Sequence, residues 1–199
     1  MTKLDLYRKH KAEYVTPEQT EVIAVGPAQY LAIEGKGAPG SEAFQSAIGA
    51  LYNVAFTLKM KLKAKQDYMV CKLEGQYGVD QKNFAEAPQE TWQWRLLIRT
   101  PDFVTNKEVA KVIETLIAKG KPAEVANVKL MKINEGCCLQ ALHTGPYTSE
   151  PVTIEAMLKR AAEEGYSLAG LHHEIYLSDP RRVPPEKLRT ILRLPVTKN

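Results

Sequence analysis

The sequence predicts an α+β fold of two pseudo-symmetric strand–helix–strand–strand repeats, each an antiparallel sheet covered by a helix. Three observations predict it. Segments in which apolar and polar residues alternate flank segments with helical spacing. Turn and cap residues separate them where each must end. The same order of elements then recurs in the second half of the chain, which marks a repeated unit.

Residues 1–20 read as a polar, partly helical lead-in that ends at Pro17. "EVIAVGPAQYLAIEG" (21–35) reads as a strand interrupted at Gly26-Pro27, where a turn or bulge is expected. "GKGAPGS" is a loop, and Ser41 caps a helix beginning "EAFQSAIGALYNVAFTLKMKLK". Strands follow at "DYMVCKLEG" (67–75) and, after a long polar loop, "TWQWRLLIRT" (91–100). "TNKEVAKVIETLIAKG" (105–120) is a helix with Thr105 as cap, Glu108 completing a capping box and Gly120 as stop. The second half repeats the order: a strand at 136–145, the loop "PYTSEP", a helix over 151–165, the strand "LHHEIYLS", a short turn at "PPEKL" and the strand "RTILRLPV" (189–196). The strings "VCKLEGQYG" and "HEIYLSDPR" correspond, as do "WRLLIRTP" and "RTILRLPV". The first repeat spans about 20–120 and the second about 130–197 of a single domain.

The chain has 199 residues, 44% hydrophobic and 25% charged, the balance of a soluble globular protein with one sizeable core or two small packed modules. No apolar run approaches the roughly 20 residues of a membrane span. The charged start "MTKLDLYRKHKAEY" has no apolar signal core, so a cytoplasmic location and no membrane partner are expected. The net charge of +4 is dispersed, and "KMKLKAK" lies where a helix would end, where cations offset exposed carbonyls. No recognition-helix or zinc-finger pattern is present, so no direct nucleic-acid partner is expected. Cys71, Cys137 and Cys138 form no CxxC, and Cys137 and Cys138, in the apolar run "CCLQAL", read as buried thiols. His172 and His173 are adjacent, face opposite sides of a strand and do not readily chelate one ion.

In "LHHEIYLSD" (171–179) the alternation sets Leu171, His173, Ile175 and Leu177 on one face and His172, Glu174, Tyr176 and Ser178 on the other. Two readings stay open: the wet face of a sheet, or the polar floor of a pocket. On an apolar wall, Glu174 would be a candidate general base, and Tyr176, about 7 Å along the strand, a donor to a developing oxyanion. Trp92 and Trp94 share one strand face, and Tyr52 and Phe56 share a helix face; either pair serves as core or as the wall of a flat aromatic ligand. His143 and Tyr147 flank a Gly-Pro turn, and His143 is a structural turn residue or a titrating one.

The motifs "YLAIEGKGAPG", "LYNVAFTLKMKLK", "VCKLEG", "LLIRTPDFVT", "LHTGPYTSEP" and "HHEIYLSDPRRVPPEKLRTILRLPV" together resemble the GyrI-like small-molecule-binding proteins in their stand-alone form, from about Leu4 to Val196. The resemblance implies a hydrophobic ligand cleft between the two repeats and a small hydrophobic or aromatic ligand. The same fold serves as the effector domain of multidrug-sensing activators, and some stand-alone relatives hydrolyse cyclopropanoid DNA-alkylating toxins with a Glu and a Tyr of the cleft. Carried onto this chain, the catalytic pair is Glu174 and Tyr176, and the ligand wall draws on Tyr52, Phe56, Trp92, Trp94, Tyr77, His143 and Tyr147. Tyr77 enters because relatives often place a Trp just after the Gly of "LEGQYG", where this chain has Gln76 and Tyr77. No metal or organic cofactor is needed. The rival expectation is a binding or sequestering protein without turnover; inhibition of gyrase has no support in these residues.

Overall fold

The computed structural model describes residues 3–78 and 88–199. Most of the polar loop expected before Thr91 lies outside the described residues. The chain packs as two units, Met1–Lys9 with Ala28–Ile133, and His10–Pro27 with Asn134–Asn199.

The lead-in forms two short helices, α1 (Leu6–Lys9) and α2 (Lys11–Tyr14). The segment expected as one interrupted strand is two, β1 (Glu21–Val25) and β2 (Ala28–Lys36), parted at Gly26-Pro27. α3 (Glu42–Leu62) follows, with the Ser41 hydroxyl accepting from the Phe44 amide. Then come β3 (Leu73–Tyr77), β4 (Gln93–Arg99) and α4 (Asn106–Ala118). The Thr105–Glu108 capping box is present at the start of α4, and Gly120 ends the turn beyond it with φ +68°. The second half holds β5 (Lys129–Ile133), β6 (Gly136–Thr144), α5 (Glu150–Glu163), β7 (Tyr166–Leu168), β8 (His172–Tyr176) and β9 (Arg189–Lys198).

In the first unit the antiparallel order is β3-β4-β2-β5. Leu31, Ile33, Leu96 and Ile98 project from one face onto Phe44, Leu51, Val54 and Leu58 of α3, with Val109, Val112 and Leu116 of α4 completing the core. A fully buried Leu or Ile of this kind contributes roughly 1.5–3 kcal/mol. In the second unit the order is β1-β6-β9-β8, with β7 paired to the end of β9. Leu139, Ala141, Leu192 and Leu194 face Met157 and Ala161 of α5.

The cross-strand registers of the two sheets follow the same pattern. Ile33, Leu96 and Gly75 are cross-strand neighbours on the α3 side of the first; Ala141, Leu192 and Glu174 occupy the α5 side of the second. One step along, Gly35, Trp94 and Tyr77 answer to His143, Thr190 and Tyr176. Trp94 thus corresponds to Thr190, whereas matching "WRLLIRTP" to "RTILRLPV" set it against Arg189. A slip of one residue exchanges the faces of a strand. Likewise Glu174 answers to Gly75, and not to Cys71 as string comparison has it.

Other expectations need correction. "DYMVCK" is not a strand: Tyr68 makes an isolated bridge with Leu4, and the strand begins at Leu73. β5 and β7 were not expected; the lysine-flanked "KLMKI" and the three-residue "YSL" carry too few buried positions to show alternation. Each half opens with a strand that pairs outside its own half, since β1 lies on β6 and β5 lies on β2. Cys137 is exposed while Cys138 is buried, because neighbours on a strand face opposite ways.

Candidate functional site

β8 alternates as its sequence requires. His173 and Ile175 are fully buried on one side, and His172, Glu174 and Tyr176 share the side that α5 covers. On that side, the Glu174 carboxylate is gripped from both directions along its own strand. His172 Nε2 lies 3.0 Å from Oε1, and Tyr176 donates its hydroxyl to Oε2 at 2.7 Å. The Glu174 side chain retains 14% of its exposure, and that of His172 4%. The carboxylate is therefore held at a fixed place while remaining reachable.

Beside it stands the start of α5. Glu150, the first residue of that helix, is buried, and Thr190 on β9 hydrogen-bonds its side chain. Its Oε1 is buried and has no hydrogen-bond partner among the described residues. Burial first, and then the charge of Glu174, push its carboxyl up to about 9, against the Thr190 hydrogen bond. The Tyr147 ring meets the Tyr176 ring edge-on at 5.9 Å, and burial together with Glu150 and Glu174 lifts its phenol to about 12. Tyr147 is still 39% exposed, so the cluster reaches solvent at this rim. The arrangement joins a carboxylate able to accept a proton to a carboxylic acid and two phenols able to donate one.

His143 builds the platform. It pairs with Thr190 across β6 and β9, and its ring is buried under the turn leading into α5. Nδ1 lies 2.8 Å from Thr153 Oγ1, and Nε2 lies 3.1 Å from Ser149 Oγ and 3.3 Å from the Pro146 carbonyl. Gly145 has φ +142°, and a Cβ there would press on both Ser149 Oγ and His143 Nε2. These contacts fix the turn that presents Tyr147 and Glu150.

The opposite side of β8 holds a buried ionic network. Arg193, on β9 opposite His173, donates from Nη1 to Glu135 Oε2 at 2.8 Å, from Nε to Gln140 Oε1 at 2.8 Å and from Nη2 to the Glu13 carbonyl at 2.9 Å. His173 Nδ1 lies 2.8 Å from Glu135 Oε1. Burial alone would raise the Glu135 carboxyl, but His173 and Arg193 outweigh it and hold it down to about 2. The network ties β6, β8 and β9 together directly behind Glu174.

The remaining aromatic candidates belong to the first unit. Trp94 is buried over Gly35 with its ring edge-on to Phe44 at 5.2 Å, and Tyr77 is buried edge-on to Trp92 at 6.0 Å. Tyr52 and Phe56 stack at 5.8 Å on α3, with Phe56 54% exposed. Sequence reasoning assigned Glu174, Tyr176, His143, Tyr147, Tyr52, Phe56, Trp92, Trp94 and Tyr77 to a single cleft; the structure places the first four in the second unit and the other five in the first. It did not name Glu150, Thr190 or the hold of His172 on Glu174. An acid in the first turn of a helix reads as a complement to the helix dipole, which hides a buried role.

The comparisons agree with this architecture. An uncharacterized conserved protein from Listeria innocua is 36% identical, with 98% of this chain and 100% of that chain covered and a TM-score of 0.91. A hydrolase from Listeria innocua is 35% identical over 98% of this chain and 100% of that one, with a TM-score of 0.87. The EcmrR C-terminal domain shares the fold, at 14% identity over 91% of this chain and 98% of that one, with a TM-score of 0.60. No curated protein matches. Among the described residues no helix is long and apolar enough to cross a membrane. With the family model matching residues 18–197, the chain belongs to the family of the GyrI-like small molecule binding domain.

Proposed function

We propose that this protein binds amphipathic aromatic small molecules against the α5-facing side of β8 and hydrolyses cyclopropanoid toxins there, a detoxifying activity in which Glu174 acts as general base. The observation that carries the reading is the Glu174 carboxylate, held between His172 Nε2 and the Tyr176 hydroxyl beside the exposed edge of Tyr147. The likeness to a Listeria hydrolase at 35% identity supports a hydrolytic activity. In the step, a water oxygen attacks the methylene carbon of the strained ring and gives its proton to Glu174. The ring carbon–carbon bond breaks, and its electron pair passes through the conjugated dienone to the carbonyl oxygen. That oxygen takes a proton and becomes a phenol, so the net change is addition of one water. The chain's residues position the water and hold the proton; no cofactor enters the balance.

A second reading has its own support. Tyr176 directs its hydroxyl at Glu174, and it must turn away before it can serve a ligand oxyanion. A protein that binds and sequesters the same ligands without turnover needs no such turn.

Incubation with a spiro-cyclopropyl dienone, with ring-opened product followed by mass spectrometry, separates the two. Turnover that disappears in Glu174→Gln supports hydrolysis. Tight binding with no product from any form supports sequestration. A ligand bound in a crystal away from both Glu174 and Tyr176 removes the site assignment.

A further inference from the structure

The geometry points to Glu150 as the donor of this site: a carboxylic acid that recognises a carbonyl oxygen of the ligand and, in turnover, gives that oxygen its proton. The turnover part rests on the hydrolase reading above; the recognition part does not.

Glu150 is 6% exposed at the N-terminal end of α5, with Thr190 hydrogen-bonded to its side chain and Oε1 buried without a partner among the described residues. An ionised carboxylate so placed would carry an uncompensated buried charge beside a second one on Glu174. The Glu174 charge on β8 and Thr190 on β9 act on it, and it acts in turn on the Tyr147 phenol; no lysine or arginine is among these groups. His172 and Tyr176 bear on it through Glu174, and His143 pairs with Thr190 from β6. His172 is engaged with Glu174, and His143 with Thr153 and Ser149. Burial and the Glu174 charge raise Glu150 to about 9, so it holds its proton in the neutral range. A neutral acid has one hydrogen to donate, and with Oε1 unpartnered it needs an acceptor. A dienone carbonyl is such an acceptor, and it is the atom on which the electron pair of the broken ring bond arrives. The Glu150 O–H bond then breaks as the phenol O–H forms. Glu150 is left as carboxylate and Glu174 as acid, and exchange with solvent water returns both. Two carboxyls with separated affinities for one proton divide the roles of acid and base.

The test uses the whole protein and the same spiro-cyclopropyl dienone. Wild type should bind it evenly through the neutral range and lose both affinity and turnover above about pH 9. Glu150→Gln keeps a donor and loses the proton, so it should still bind while turnover falls about 100-fold or more, without an alkaline limb. Unchanged turnover with the alkaline limb retained overturns the inference. If wild type binds but forms no product, the hydrolase reading falls and Glu150 is judged on binding alone. Loss of affinity at alkaline pH in wild type but not in Glu150→Gln then supports it, and identical profiles overturn it. The infrared spectrum of unmodified protein needs no variant. A protonated-carboxyl C=O band at neutral pH that vanishes above about pH 9 supports the inference, and its absence sinks it.

Discussion

The Tyr176 hydroxyl donates to Glu174 Oε2 at 2.7 Å from two positions along the same strand, while the Tyr176 ring meets Tyr147 edge-on at 5.9 Å. Tyr176→Phe removes the first contact and keeps the second. A hydrogen bond to a charged group contributes about 1.5–3 kcal/mol when buried, and less here because Glu174 is partly solvated. Thermal unfolding should shift by less than about 1 kcal/mol equivalent. Dienone turnover should fall about tenfold or more, as for a lost proton-relay or orienting group. Unchanged turnover would take Tyr176 out of the chemistry.

Arg193 is 1% exposed and donates to Glu135, Gln140 and the Glu13 carbonyl. Arg193→Ala leaves Glu135 buried beside His173 alone. Breaking a buried ion pair by removing one partner costs about 3–5 kcal/mol. Urea unfolding should register a loss of that size. Arg181, whose side chain is 86% exposed in its pair with Asp179, should change stability by less than about 1 kcal/mol when replaced by Ala. Equal effects from the two substitutions would mean that the network behind Glu174 contributes nothing special.

Much of the second unit's site was legible because one strand carries it. The alternation of "LHHEIYLSD" alone put His172, Glu174 and Tyr176 on a shared face, and the structure keeps them there. Elements with strong end signals were also legible: Ser41 and the Thr105–Glu108 box start their helices as read. What failed was information that lives across strands. Nothing in "TSEP" announces that Glu150 meets Thr190, forty residues on, or that a carbonyl of α2 receives Arg193. Repeat comparison by strings slipped at β4 and β9 because both strands are buried on both faces over most of their length, leaving little alternation to fix the register.

Gly35 tests that register directly. It pairs with Trp94, whose six-membered ring lies where a Cβ on Gly35 would sit. Gly35→Ala must therefore displace the Trp94 ring from its edge contact with Phe44. Overpacking of this kind costs about 1–3 kcal/mol. The expected result is a lower unfolding midpoint with altered tryptophan fluorescence, Trp92 serving as the common background. Gly26→Ala, where a Cβ meets nothing within 4 Å, is the matched control and should leave the spectrum unchanged. If both variants behave like wild type, Trp94 does not pack over Gly35.

Two buried carboxyls should give stability opposite slopes in pH. Glu135 is held below its ordinary 4.5, at about 2, by His173 and Arg193 against the effect of burial. Its stabilising contribution is present above about pH 4.5 and is lost as pH falls toward 2. Glu150 is raised from 4.5 to about 9 by burial and by Glu174. Its contribution is complete below about pH 4.5 and is lost as pH rises through 9. Denaturant unfolding across pH should show both arms. Glu150→Gln cannot ionise, so it should flatten the alkaline arm and leave the acid arm as it was. Glu135→Gln should weaken the acid arm, and it should lower stability at neutral pH because Arg193 loses its charged partner. A Glu150→Gln curve parallel to wild type above neutrality would show that Glu150 is already ionised in the folded protein, and the assignment of acid and base to Glu150 and Glu174 would fall with it.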